Sequence, residues 1–301
     1  MATRATQSTK QEPLVRNISD TALWAAVFRG WESKRQDALF RDPYAEQLAG
    51  ERGARIAKEL RFGTRHTWSW IARTYVFDQM IRDEIAQGAD MVINLAAGLD
   101  TRPYRMPLPA SLMWVEIDLP GILDYKQELL GRERPACSLE RIKLDLANVS
   151  ARREVFGELG RRAIRALIIT EGLIIYLSRE EVAALASDLA RTPSFRNWVL
   201  DLTSPALLGM LKRSMGAHLE KAGAPMKFGP EEGPDFFTPY GWKPVRAQSL
   251  LHVAAQLKRV PLWMRPFAWF PDRFPKQGKR PWGGACLLAR EELRSQNETP
   301  V

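Results

Sequence analysis

Met91-Val-Ile-Asn-Leu-Ala-Ala-Gly-Leu-Asp-Thr-Arg102 is the stretch that decides the fold. Its first five residues make a short apolar run, and Gly98 follows in a turn that leads to a helix start. An apolar strand running into such a turn is the opening unit of a parallel α/β sheet, in which each strand is buried on both faces. Toward the C-terminus, further apolar runs predict strands at 113–117, 141–144, 166–170 and 197–201, with helices near 121–131, 150–160 and 179–191 between them. Strand character returns at Lys243 to Arg246 and Ala285 to Leu288, giving seven strands. Residues 204–240 break the rhythm with Gly, Pro and Lys and read as an insertion over the working edge of the sheet. Toward the N-terminus the period becomes helical. Asp20 suits an N-cap, with Leu23, Trp24, Val27, Phe28 and Trp31 on one stripe. A second helix from Trp68 to Ala86 would bury Trp70, Ile71, Met80, Ile81 and Ile85 and stop at Gly88. The expected architecture is α/β and Rossmann-like, with a seven-stranded, mostly parallel sheet. It comprises a tail (1–14), an N-terminal helical cap (15–90), a core (91–290) with an insertion after strand 5 acting as a substrate lid (204–240), and a C-terminal tail (291–301).

Composition fits one decorated domain: 301 residues, 45% hydrophobic and 26% charged. The first residues lack the apolar stretch of a secretory signal, and no run is apolar enough to span a bilayer. Cys137 and Cys286 are far apart with no partnering His or Cys at ligand spacing, so no metal site is expected and a reducing cytoplasm is the predicted setting. The net charge of +9 is spread over many arginines, and its densest stretch runs from Lys258 to Arg280. There the charges interleave with Trp263, Phe267, Trp269, Phe270 and Phe274, as in a single-strand nucleic-acid platform. Five prolines (Pro261, Pro266, Pro271, Pro275 and Pro281) favour a packed, irregular covering loop instead. Neither a nucleic acid nor a membrane is expected as a partner.

In open parallel sheets ligands bind beyond the carboxyl ends of the strands. Gly98 lacks a Cβ and admits a ligand to the backbone. Asp118 stands twenty residues later, the spacing at which an acid accepts the hydroxyl protons of a ribose, although it also suits a helix cap. Asp145 follows the third strand and Glu171 the fourth. A dinucleotide fingerprint needs three glycines around its pyrophosphate, whereas this loop has one, followed by Asp100, whose charge would repel a pyrophosphate. S-adenosylmethionine, with a cationic sulfonium and a single ribose, suits such a loop better.

The strings Asn94-Leu-Ala-Ala-Gly-Leu-Asp-Thr-Arg-Pro-Tyr-Arg105, Val115-Glu-Ile-Asp-Leu-Pro120 and Glu171-Gly-Leu-Ile-Ile-Tyr-Leu177 resemble the leucine carboxyl methyltransferase family of class I S-adenosylmethionine-dependent methyltransferases. Ile18-Ser-Asp-Thr-Ala22 and Asp37-Ala-Leu-Phe-Arg-Asp-Pro43 resemble its bacterial branch. The resemblance implies that Arg73 pairs with the donor's methionine carboxylate, that Gly98 lines the methionyl portion and that Asp118 takes the ribose. It also implies that Asp145 and the backbone of Leu146 recognise adenine, that Glu171 sits under the amino group, and that Lys34 is a second cation for the carboxylate. Tyr176 falls in the substrate-facing segment and is the candidate to touch the acceptor.

Methyl transfer from a sulfonium is an in-line displacement that asks mainly for alignment in a dry pocket. A carboxylate acceptor is already ionised at neutral pH, while a phenol, with a reference pKa near 10, benefits from a base. His66, His218 and His252 are the histidines available for that role. Phe236, Phe237, Tyr240 and Trp242 are the expected lid contacts, suited to a small aromatic or polyketide-like acid of secondary metabolism. A protein carboxyl methyltransferase, a nicotinamide-dependent oxidoreductase and a non-catalytic nucleoside-binding protein are the alternatives.

Overall fold

A computed structural model describes residues 20–59, 67–269 and 273–291. The expected N-terminal tail, His66, Phe270, Pro271 and all but the first residue of the C-terminal tail lie outside them. The elements run α1 (Asp20–Ser33), α2 (Ala45–Glu59), α3 (Thr67–Ala86), β1 (Met91–Leu95), α4 (Arg102–Arg105), β2 (Met113–Asp118), α5 (Pro120–Leu130), β3 (Ser138–Lys143), α6 (Val149–Arg162) and β4 (Ala166–Thr170). They continue with α7 (Arg179–Ala190), β5 (Phe195–Thr203), α8 (Pro205–Lys221), β6 (Trp242–Ser249), α9 (Leu250–Gln256) and β7 (Gly283–Arg290), with short 3-10 turns at Ile174–Tyr176, Gly233–Tyr240, Leu262–Trp269 and Lys276–Gly278.

The seven strands form one sheet in the order β3-β2-β1-β4-β5-β7-β6. β7 is antiparallel to both its neighbours, and the pairs among β1 to β5 are parallel. The central strands β1 and β4 are buried along their whole length, as their uninterrupted apolar sequence requires. On one face Phe156, Leu159, Val182, Leu185 and Leu189 pack against Ile93, Ile168 and Trp198. On the other, Ala72, Val76, Phe77, Met80 and Ile81 of α3 pack against Val92, Trp114, Leu167 and Val199. The helix expected to close the cap is therefore a layer of the core. Its stop is as predicted: Gly88 takes φ +94° and the N–H of Ala89 donates back to the carbonyl of Glu84 at 3.0 Å.

The cap itself consists of α1 and α2, and it shares a cluster with the insertion: Leu23, Trp24, Val27 and Phe28 meet Leu208, Met215 and Leu219 of α8. Trp31, expected on the buried stripe, is 41% exposed. Asp20 is held by Arg52 of α2 at 2.9 and 2.5 Å. The insertion is more regular than its Gly, Pro and Lys content suggests. Ser204 caps α8, its hydroxyl accepting from the N–H of Leu207, and Pro205 sits at the first turn where its missing N–H costs nothing. Among the described residues no helix is long and apolar enough to cross a membrane.

Candidate functional site

The carboxyl ends of the strands and the underside of the cap enclose a cavity of about 1030 Å³. The turn after β1 forms one wall. Gly98 takes φ +50° there, and a Cβ would stand 3.2 Å from Ala22 of the cap. Ala96, two residues earlier, is also left-handed at φ +53° and carries the strain that a Cβ imposes in that region. The Gly98 N–H donates to Asp118 at 2.7 Å, and the other Asp118 oxygen accepts from Leu119. Burial pushes the Asp118 carboxyl above its ordinary range, partly offset by those two N–H donors.

The floor is an arginine–carboxylate lattice. Arg73 of α3 donates to Glu171 at 3.0 Å and to Asp201, at the end of β5, at 3.1 Å, with its guanidinium 4.7 Å over the Trp70 ring. Arg102, 2% exposed, donates to Asp78 and Asp100 at 2.7 and 2.8 Å and pairs with Glu171 at 2.8 Å. Both Glu171 oxygens are thus fixed. Gly172 takes φ +71°, donates its N–H to Asp201 at 2.7 Å, and a Cβ there would stand 3.3 Å from the Arg73 guanidinium. Burial pushes Asp201 up, against the pull of Arg73 and the Gly172 N–H. Burial acts on Asp100 in the same sense, but Arg102, Lys126 and Arg105 overcome it and hold that carboxyl far below the usual range. Asp100 also accepts from Asn94 at 2.8 Å. Its charge is balanced locally, so the single glycine of the loop, rather than repulsion by Asp100, is what stands against a pyrophosphate.

Arg73, Gly98, Asp118, Asp145, Leu146, Glu171 and Tyr176 all line this cavity. Asp145 is exposed at the rim and accepts from the N–H of Ala147 at 2.9 Å; the Leu146 carbonyl accepts from Arg152 at 2.8 Å. Tyr176 closes the 3-10 turn after β4, and burial pushes its phenol up against the opposing charge of Arg73 and a hydrogen bond shared with Thr21. Lys34 is the one candidate left out. It is an exposed residue past the end of α1, ion-paired with Glu46, and does not reach the cavity. The cap cation on the cavity wall is Arg29, which donates to Asp42 at 2.8 Å and to the Leu99 carbonyl at 2.6 Å. Asp42 also accepts from Thr101 at 2.6 Å, so Asp42-Pro43 ties the cap to the loop after β1.

The lid contacts are corrected as well. Phe236, Phe237 and Trp242 belong to the core below the sheet, Trp242 donating its indole N–H to the Ala186 carbonyl, and neither they nor Tyr240 line the cavity. Its apolar end is made instead by Leu207, Met210, Leu211, Met215 and Met226, with Trp263 and Phe267 at the edge. His252 also lines it, whereas His218 does not. Arg102 and Asp201 line the candidate site without having been singled out in the sequence. Asp201 ends an anticipated strand, the same signal that marked Glu171.

A protein of Mycobacterium tuberculosis assigned as an S-adenosyl-L-methionine-dependent methyltransferase is 34% identical over 177 residues, 54% of this chain and 58% of its own length. One from Streptomyces coelicolor with the same assignment is 32% identical over 176 residues, 55% of this chain and 62% of its own. The chain thus matches less than two thirds of the length of these relatives. A crystal structure of a Thermobifida fusca protein assigned as a methyltransferase superposes with a TM-score of 0.59 at 16% identity, covering 93% of this chain and 96% of that one, which shows a shared fold. The sequence profile of the leucine carboxyl methyltransferase family matches residues 22–190, more than half of the chain, and the chain belongs to that family.

Proposed function

We propose that this chain binds S-adenosylmethionine in the cavity and transfers its methyl group to an oxygen, carboxylate or phenol, of a small acidic molecule. The observation that carries the reading is the convergence of Gly98, Asp118, Asp145 and Glu171, which follow or end four consecutive strands, on one cavity. The residues fit the donor. Asp118, anchored by two backbone N–H groups, keeps acceptor positions for a ribose diol, and Gly98 lines the cavity beside it. Arg73 presents a planar guanidinium for a carboxylate, and Glu171 retains lone pairs toward an ammonium. Asp145 and Leu146 hold the adenine end.

The bound donor supplies an electrophilic methyl group. The chain's own part is to align the acceptor oxygen with it and to keep water out, which the Leu and Met lining of the far end serves. Tyr176 touches the acceptor. A carboxylate needs no base, whereas a phenol does, and among the described residues His252 is the histidine that lines the cavity.

Thermal unfolding with added ligands tests the donor. S-adenosylmethionine raises the midpoint of the parent and not of Asp118→Ala, and a nicotinamide dinucleotide has no effect. Stabilisation by the dinucleotide alone would sink the reading. Labelled-methyl transfer to aromatic carboxylic acids and phenols then separates the acceptors: with a carboxylate, His252→Gln keeps kcat within about twofold, and with a phenol it loses about a hundredfold.

A further inference from the structure

The 3-10 segment Leu262–Trp269 has no buried residue. Leu262 is 73% exposed, Trp263 66%, Phe267 51% and Trp269 87%, although each of these side chains gains by leaving water. Met264 packs against the core and fixes the segment to the fold, so the others stand outward from an anchored base. The surrounding sequence is strongly basic, although Arg259 is paired with Glu32 and Asp37. Between Leu250 and Arg290 the sequence carries eight Lys and Arg against a single acid, Asp272, so most of the chain's net +9 lies in this stretch. Lys258, Arg265, Arg273, Lys276, Lys279 and Arg280 are exposed there. The segment also borders the cavity: Trp263, Met264, Phe267, Arg273 and Arg280 line it together with the Leu and Met residues of α8.

We propose that Leu262–Trp269 and its basic surround form a docking surface for an anionic lipid bilayer, and that the acceptor enters the cavity from that bilayer. Exposed Trp, Phe and Leu ringed by Lys and Arg are the composition that settles at a membrane interface, the rings among headgroups and the cations on anionic lipid. A second copy of the chain is a poorer occupant, because a two-fold contact would bring like charge against like charge. Single-stranded nucleic acid would use the aromatics and the charge, but it leaves unexplained why Trp263, Met264 and Phe267 line the same cavity as the Leu and Met side chains of its apolar end, a lining suited to an amphipathic acid. The surface departs from the expectation, drawn from composition, of a chain with no membrane partner. Docking stands independently of the methyl-transfer reading, and only the route of the acceptor rests on it.

Sedimentation of the full chain with phosphatidylcholine vesicles, with and without phosphatidylglycerol, tests the proposal. The expected result is binding to the anionic vesicles, weakened by salt, with at least about a tenfold loss of partitioning in L262S/W269S and in R265E/K276E. None of these four residues lines the cavity, so both variants keep the parent's thermal shift with S-adenosylmethionine. No sedimentation with anionic vesicles, or undiminished sedimentation of L262S/W269S, overturns the docking surface. So does a parent dimer in vesicle-free ultracentrifugation that L262S/W269S dissociates, or tighter binding to single-stranded DNA than to anionic vesicles. A missing thermal shift in the parent strikes the methyl-transfer reading and leaves the docking result to stand.

Discussion

Arg73 holds two acids from two strand ends and lies over an indole ring, so its removal leaves Asp201 without its cation and Glu171 with only Arg102. Arg73→Ala is expected to weaken S-adenosylmethionine binding at least tenfold by calorimetry and to lower the unfolding free energy by about 3 kcal/mol. Arg73→Lys keeps the charge but not the fork, and falls between. Lys34→Ala, on an exposed pair, changes stability by less than about 0.5 kcal/mol and leaves donor binding as it is. Unaltered binding in Arg73→Ala, or lost binding in Lys34→Ala, would reverse the two assignments. Gly98, Asp118 and Glu171 were legible in the sequence because a strand end is a position that the apolar run itself marks. Arg73 was reached through family likeness, since nothing in the helical pattern of α3 tells a charge over a cavity from one in water. Lys34 failed for the same reason: it lies just past the end of α1, paired with Glu46 on the surface, while Arg29, five residues earlier and on another side of the helix, lines the cavity.

Among the elements, α3 and the short α4 are clamped by one carboxylate. Asp78 accepts from Arg102 at 2.7 Å and from Arg105 at 2.7 Å on both oxygens, and this joint orients the arginine that holds Glu171. Burial raises the Asp78 carboxyl, but Arg105 and Arg102 outweigh it and hold it below its ordinary 3.8. A depressed native pKa contributes stability above the unfolded value and loses it as pH falls through the native one. Asp78→Asn is therefore expected to cost about 3–5 kcal/mol at pH 7 in denaturant titrations, with the gap to the parent closing below about pH 4. A gap that stays constant down to pH 2 would rule out the ion pair as its source. Most elements could be read ahead of the structure, since strands and helices of the core differ in period. α8 could not, because its Gly and Lys suggested a loop; the Ser204-Pro205 start was the signal overlooked. Phe236, Phe237 and Trp242 were misplaced because aromatic content says that a residue is buried and not against which face.

At the scale of the whole molecule, both thiols are sealed in. Burial, helped by the nearby Glu116 charge, pushes Cys137 up to about 11, and burial drives Cys286 higher still. A thiol reagent at pH 8 should therefore label the native chain at least about a hundredfold more slowly than the chain in guanidinium, and labelling at equal rates would show that the core opens. The order of the strands has a further consequence. β7, last of the seven in sequence, is hydrogen-bonded on both sides, filling the gap between β5 and β6. During synthesis on the ribosome β6 emerges with no partner in the sheet and must wait until residues 283–290 have cleared the exit tunnel. Until then the open side of β5 offers unsatisfied backbone to any passing strand. A stalled or clipped chain that stops before Gly283 would hold the Gly98 loop and every acid of the floor, yet present two raw edges to its neighbours and aggregate.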